Sequence, residues 1–240
     1  MSSNNKKRIK QLVICLAILL FCSWLILELF IPSRTIYYRL DVTFEVDGIP
    51  VTGSGVQKFT IVRNRVPLSF GEFNSRTYGE AVIVDLPSGK SVFALLAIPG
   101  RDGAFKGGNG GINFLFLNAC KLYEKNERQG PASLIRMAGR VSGSCEIPPQ
   151  DMPLMVTFED EKNSTSVRRV FPNHPETTLG KNVKFVGASL TTTNGPMTTG
   201  ILHRLPWLSD NSGNRLTPGF VGSFHPSLPD LLEKMYFRRF

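Results

Sequence analysis

The chain has no recognisable catalytic motif, and the residue types that usually build one are scarce. There are three histidines, His174, His203 and His225, each near a proline in a separate segment. Their spacing supports no metal site. The cysteines number four. None stands in a Cys-x-x-Cys or Cys/His pattern, so nothing points to zinc. No Gly-x-Ser-x-Gly elbow is present; Gly53-Ser54-Gly55 and Gly143-Ser144-Cys145 are not that motif. No carboxylate pair stands in a glycosidase context. Gly89-Lys90-Ser91 has the letters that end a phosphate-binding loop, but Val84 stands where that loop needs its first glycine. The residues between are strand-like and include a proline, so a hairpin turn is the expected structure. Beyond the N-terminus the basic residues form no dense run, which argues against nucleic acid as a partner. The sequence assigns no catalytic residue, cofactor or metal ligand.

Charged residues are also missing from one long stretch. Residues 12–31 read LVICLAILLFCSWLILELFI, and Glu28 is the one ionisable side chain apart from the thiols. About 20 apolar residues in a helix cross roughly 30 Å of hydrocarbon, and a helix satisfies its own backbone there. Lys6, Lys7, Arg8 and Lys10 precede the stretch with no acid among them, the flank that stays in the cytoplasm. A cleaved signal peptide has a shorter apolar core and a small-x-small site; Ile31-Pro32-Ser33-Arg34-Thr35 offers none. Cys15 and Cys22 lack the small residues that precede a lipidated cysteine. Glu28 has two readings. It is either an acid that pairs with a partner helix, making it an interface residue, or a carboxylate one turn from the headgroups.

The rest of the chain is long enough to bury its own core. The net charge is +9, and the N-terminal cluster accounts for part of it. Cys120 and Cys145 are the cysteines outside the apolar stretch, and an external compartment permits a disulfide between them. Residues 38–46 alternate with period two, a strand with one packed and one wet face. Asp47-Gly48 marks a turn, after which a long loop containing Gly53-Ser54-Gly55 leads to a strand from about Val56 to Val62. Residues 81–86 and 91–98 form a hairpin across Pro87 to Lys90, and the second of these, apolar on both faces, is central. Residues 101–111 are a glycine-rich loop; its amides at 106–111 are an anion site or simply surface. A short helix is expected over 131–139. Strands follow at 154–158, 166–171 and 182–190. Arg168 and Arg169 are adjacent on one of them and point to opposite faces, one toward an acid and one toward solvent. Trp207 is either core filler or an interface anchor. Asn163-Ser164-Thr165 is a formal glycosylation sequon. The chain ends in a short amphipathic helix over 229–240 that packs on the domain or touches the membrane.

The expected fold is a single N-terminal transmembrane helix followed by a β-rich extracytoplasmic domain. That domain is mainly antiparallel α+β, a sandwich or open barrel. Residues 1–11 form a cytoplasmic basic tail, 12–31 the transmembrane helix and 32–240 the domain, with 209–240 as a C-terminal extension. Several pieces carry a family resemblance: Gly79-Glu80-Ala81-Val82 with Asp85-Leu86, and Leu205-Pro206-Trp207-Leu208. Over residues 38–208 the chain resembles a family of uncharacterised bacterial membrane proteins with an N-terminal anchor and a β-rich domain. It departs from the family pattern at Asn163-Ser164-Thr165. The resemblance brings no activity; it implies a bacterial inner membrane, with the N-terminus cytoplasmic and the domain periplasmic. The partners expected are the lipid bilayer and an envelope protein of unknown identity, and the function a non-catalytic interaction or structural module. The alternatives are an envelope hydrolase with a His-based site and a small-molecule binder using the glycine-rich loop.

Overall fold

The computed structural model describes residues 3–30, 33–63, 73–100, 103–107, 111–125, 130–211, 213–220 and 222–240, with side chains in the first helix described over 10–23. That helix, α1, is Ser3–Phe30. Every residue from 10 to 23 is exposed, on all faces. Among the described residues no helix is long and apolar enough to cross a membrane; the part of α1 with described side chains is itself shorter than the roughly 20 residues a span takes.

Two antiparallel sheets make the domain, and they do not close into a barrel. The first begins with a long hairpin, β1 (Ser33–Val46) and β2 (Ile49–Arg63), in register from Ser33↔Val62 to Val46↔Ile49. Its turn is Asp47-Gly48, both at positive φ (52° and 82°), the geometry that matches strand twist in a two-residue hairpin. The expected long loop is therefore absent, and Gly53-Ser54-Gly55 lies inside β2. Tyr38, Leu40, Val42 and Phe44 face the core from β1 while Arg39 faces water, as the alternation predicts. Further strands are β3 (Phe73–Glu80), β4 (Val82–Asp85), β5 (Ser91–Ala94), β6 (Ser144–Glu146), β7 (Met155–Phe158), β8 (Val167–Val170), β9 (Val183–Thr193) and β10 (Arg238–Arg239). The six-stranded sheet has the order β10-β3-β2-β1-β9-β6 and the four-stranded sheet β4-β5-β7-β8.

The glycines of β2 explain how the sheets meet. A Cβ on Gly53 would stand 2.1 Å from the carbonyl oxygen of Ile83, and one on Gly55 would stand 3.0 Å from a methyl of Val82. Strand β4 thus crosses directly over β2, an approach only glycine permits.

The first core lies between the six-stranded sheet and a layer made by β4, α2 (Leu115–Ala119), α3 (Leu122–Lys125) and α4 (Gly130–Ala138). Phe116 stacks on Tyr38 and Phe59 in its centre. Cys120, capping α2, is disulfide-bonded to Cys145 on β6 with Cα atoms 5.1 Å apart. The second core covers the other face of the four-stranded sheet. Phe93, Leu95, Val156 and Phe158 pack there against Leu205, Leu232, Tyr236 and Phe237. The four-stranded sheet is therefore buried on both sides, which is why its central strands β5 and β7 are buried at every position.

The C-terminal segment is not the expected helical extension. Pro229 lies in the first turn of α7, which is only Leu228–Leu231, closed by the Ser227–Asp230 capping box. The chain then leaves the helix, buries Tyr236 and Phe237, and ends as an edge strand against Gly79 and Glu80. Alternation of polar and aromatic residues here serves a strand and its turn, not a helix on a membrane.

Candidate functional site

The polar residues buried in the domain are mostly occupied with one another. Glu80 sits where the chain passes from β3 to β4. Its carboxylate accepts the amide of Ile201 at 2.9 Å and pairs with Arg238 at 3.3 Å. Its carbonyl accepts from Gln57 Nε2 at 3.1 Å, and Gln57 Oε1 accepts from the Tyr38 hydroxyl at 2.9 Å. Burial pushes the Tyr38 phenol well above its ordinary pKa. This network joins the sheets.

A second cluster centres on Arg204, at the end of α6 (Ile201–Arg204). Its guanidinium donates to both oxygens of Glu161, at 3.1 and 3.0 Å, to Asp85 at 3.2 Å and to Ser91 Oγ at 2.6 Å. Burial works to raise the Asp85 carboxyl, but the bonds from Arg204 and Ser91 outweigh it, and its pKa lies below the ordinary value. Trp207 Nε1 donates to the Glu161 carbonyl at 2.8 Å, and its ring packs on Phe158 and Phe237. Trp207 is thus half-buried in the second core, and Arg204 is a clamp that fixes it there. Gly89-Lys90-Ser91 is the β4–β5 turn: Lys90 donates to the carbonyl of Thr178 at 2.9 Å and Ser91 to Asp85 at 2.8 Å.

The three histidines are not brought together. His174 is exposed beside Glu176, with 3.5 Å between Nδ1 and the carboxylate. His203 is exposed on α6, and His225 is exposed before α7. Among the described residues no group of three His, Cys, Asp or Glu could hold a metal ion. Asn163 turns its side chain onto Thr165, accepting from its amide at 3.0 Å and its hydroxyl at 2.8 Å. The Glu28 side chain lies outside the described residues, as do 101–102 and 108–110 of the glycine-rich loop.

Two clefts remain. One, of about 700 Å³, lies beneath the glycine-rich loop. Its walls mix Phe105, Phe114 and Tyr123 with Lys106, Asn118 and Asp151, and Asn118 is bonded to Asp151 at 3.0 Å. Burial pushes the Tyr123 phenol up to about 12. The other, of about 660 Å³, opens between the ends of the two sheets, from β8 and the segment after it to β9. Ile147, Met152, Val170 and Phe185 supply an apolar lining. Arg169 and His174 stand on the wall with Glu146. A bulge in β9 separates Gly187 from Phe185 in the register with β1 and leaves Val186 at the mouth, 61% exposed.

The two adjacent arginines part company here. Arg168 points outward and pairs with Glu159 at 2.9 Å. Arg169, the one left to face solvent, is only partly exposed: it is half-buried, with its guanidinium 4.4 Å over the Phe171 ring. Burial lowers its pKa. The four-stranded sheet is covered on both faces, but its edge strand β8 only in part: Val167 and Val170 are buried, Arg168 is exposed, and Arg169 is half-buried where it lines the cleft beside Phe171. The apolar run of residues 154–158 was the available signal for that double cover.

Compared with family models, with curated proteins and with solved structures, the chain matches none.

Proposed function

We propose that the chain is a single-pass protein of the bacterial inner membrane, with α1 as anchor, and that its β-rich domain is a non-catalytic interaction module held outside the bilayer. The observation that carries the reading is α1 itself. Leu12, Val13, Ile14, Leu16, Ile18, Leu19, Leu20 and Phe21 are 56% to 70% exposed and point all round the helix. A helix that is apolar on every side belongs in a core or in lipid, and among the described residues its side chains from 10 to 23 are all exposed. Leaving each such side chain in water forgoes about 1.5–3 kcal/mol. The apolar sequence continues to Ile31, and α1 as a whole is about 42 Å long at 1.5 Å per residue. The basic cluster before it favours a cytoplasmic N-terminus.

Two features favour the outside for the domain. β1 begins at Ser33, immediately after the apolar stretch, so the domain stands against the membrane surface. The Cys120–Cys145 disulfide suits an oxidising compartment. The Glu80 and Arg204 clusters tie separate elements of the domain together, which favours a structural role for them, and an envelope protein is the expected partner.

The test is fractionation of the full-length protein with a reporter at its C-terminus. The expected protein resists alkaline carbonate, dissolves in detergent, and carries a reporter active only outside the cytoplasm. A chain shortened to start near Ser33 in the soluble envelope fraction would overturn the anchor, and a cytosolic reporter the orientation. Copurification of one envelope protein after mild detergent extraction is the expected sign of a partner.

A further inference from the structure

We infer that the cleft holding Arg169 is a binding site for a small monocarboxylate with an apolar body. Arg169 is the observation that requires explanation. Its neighbour Arg168 has an acid, but among the described residues no acid pairs with Arg169. Its Nε is shut off from water and has no acceptor among them. A guanidinium half-buried beside an aromatic ring on the wall of a cleft, with no carboxylate paired to it, can take an anion from that cleft.

The cleft defines which anion. The guanidinium is a planar fork that matches a carboxylate, and stacking on Phe171 holds its plane. Behind it the lining is apolar, from Ile147, Met152, Val170 and Phe185. The volume of about 660 Å³ falls among ordinary small-molecule sites, roughly 300–1,000 Å³. Glu146 also lies on the wall and His174 is already beside Glu176. A single arginine with no paired acid, on a wall that also carries Glu146, favours a single negative charge over a phosphate. Phe171 and Val186, apolar and exposed at the mouth, are the residues such a body would cover.

A free small acid and the C-terminus of an apolar peptide share this chemistry. The experiment uses the full-length chain in maltoside micelles, titrated calorimetrically with two probes: hexanoate and the tripeptide acetyl-Ala-Val-Leu. Each is compared with its primary amide. The expected result is binding of at least one acid, with its amide weaker by about tenfold or more, the loss of a charged hydrogen bond. Binding of hexanoate alone identifies a small acid, and binding of the peptide alone a chain terminus. R169M is expected to weaken the acid by the same factor. V186E changes an exposed residue, so it keeps the fold if R169M does not, and its added carboxylate at the mouth is expected to weaken the acid but not the amide. Failure of both acids to bind, equal binding of acid and amide, wild-type affinity in a folded R169M, or, where R169M does not fold, wild-type affinity in V186E would overturn the site. The measurement does not depend on where the domain resides, so its failure is separable from failure of the anchor.

Discussion

The six-stranded sheet and the four-stranded sheet bury their residues in different ways. In the first, one face packs and the other is wet: Thr43 and Thr52 pair across β1 and β2 at 2.8 Å in the open, while Leu40, Val42 and Phe44 lie beneath. In the second, both faces pack. Val82 and Val84 look into the first core, and Phe93, Phe158 and Val167 into the second. A sheet with one wet face announces itself by alternation. A sheet covered twice hides its orientation, and it needs a second set of residues to cover it. Here that cover comes from the far end of the chain.

The comparison breaks first at that cover. Phe237 is fully buried, against Phe158 and Trp207. Phe237→Ala is expected to cost about 3–5 kcal/mol, the range for a large-to-small change of a buried aromatic. Thr43→Ala, on the wet face of the first sheet, is expected to stay within about 0.5 kcal/mol. Chemical denaturation of the two variants measures the contrast. Similar losses in both would mean that the C-terminal segment is an appendage and that the second sheet has one free face after all.

The next test acts where the sheets touch. Gly53→Ala places a methyl 2.1 Å from the backbone oxygen of Ile83, and backbone cannot rotate aside as a side chain can. The expected cost is about 3 kcal/mol, the upper end of the usual range for overpacking. Gly48→Ala, in a turn with open space around it, pays only for its positive φ. If the two variants melt alike, the crossing of β4 over β2 is looser than 2.1 Å implies.

These contrasts also show what a sequence can and cannot display. β1 is legible because Tyr38 to Val46 alternate apolar and polar over a long run. β3 is not, because the residues it buries are Ser75, Thr77, Gly79 and Glu80, which carry no hydrophobic signal. β10 is two residues long and is defined only by its partner, Glu80 and Gly79. Gly53-Ser54-Gly55 looks like a bend because glycine marks both bends and close crossings, and only the approach of Ile83 distinguishes them. The site shows the same limit. Cys120 and Cys145 could be paired by count and compartment. Arg169 could be seen to differ from Arg168 in direction, but the Phe171 ring beneath it and the β9 bulge beside it belong to long-range packing. Arg204, Glu161 and Asp85, far apart in the chain, meet for the same reason.

The smallest expected effect lies in that last cluster, and it ties the second cover to pH. The folded pKa of Asp85 is depressed below its ordinary value of 3.8. A depressed carboxylate contributes stability that is present above the unfolded pKa and is lost as the pH falls through the folded one. Asp85 is 63% exposed on its side chain, so solvent screens the pair and the contribution is under about 1 kcal/mol. Asp85→Asn removes the charge while Arg204 keeps both oxygens of Glu161. At pH 7 the wild type is expected to melt a degree or two higher, a shift of the size that such a contribution produces in a domain this long. As the pH falls from 3.8 through the folded value, the gap is expected to close. A gap that persists or widens in acid would mean that Asp85 acts by packing or by its bond from Ser91. The charge on Arg204 would then be met by Glu161 alone, with Ser91 as a neutral acceptor.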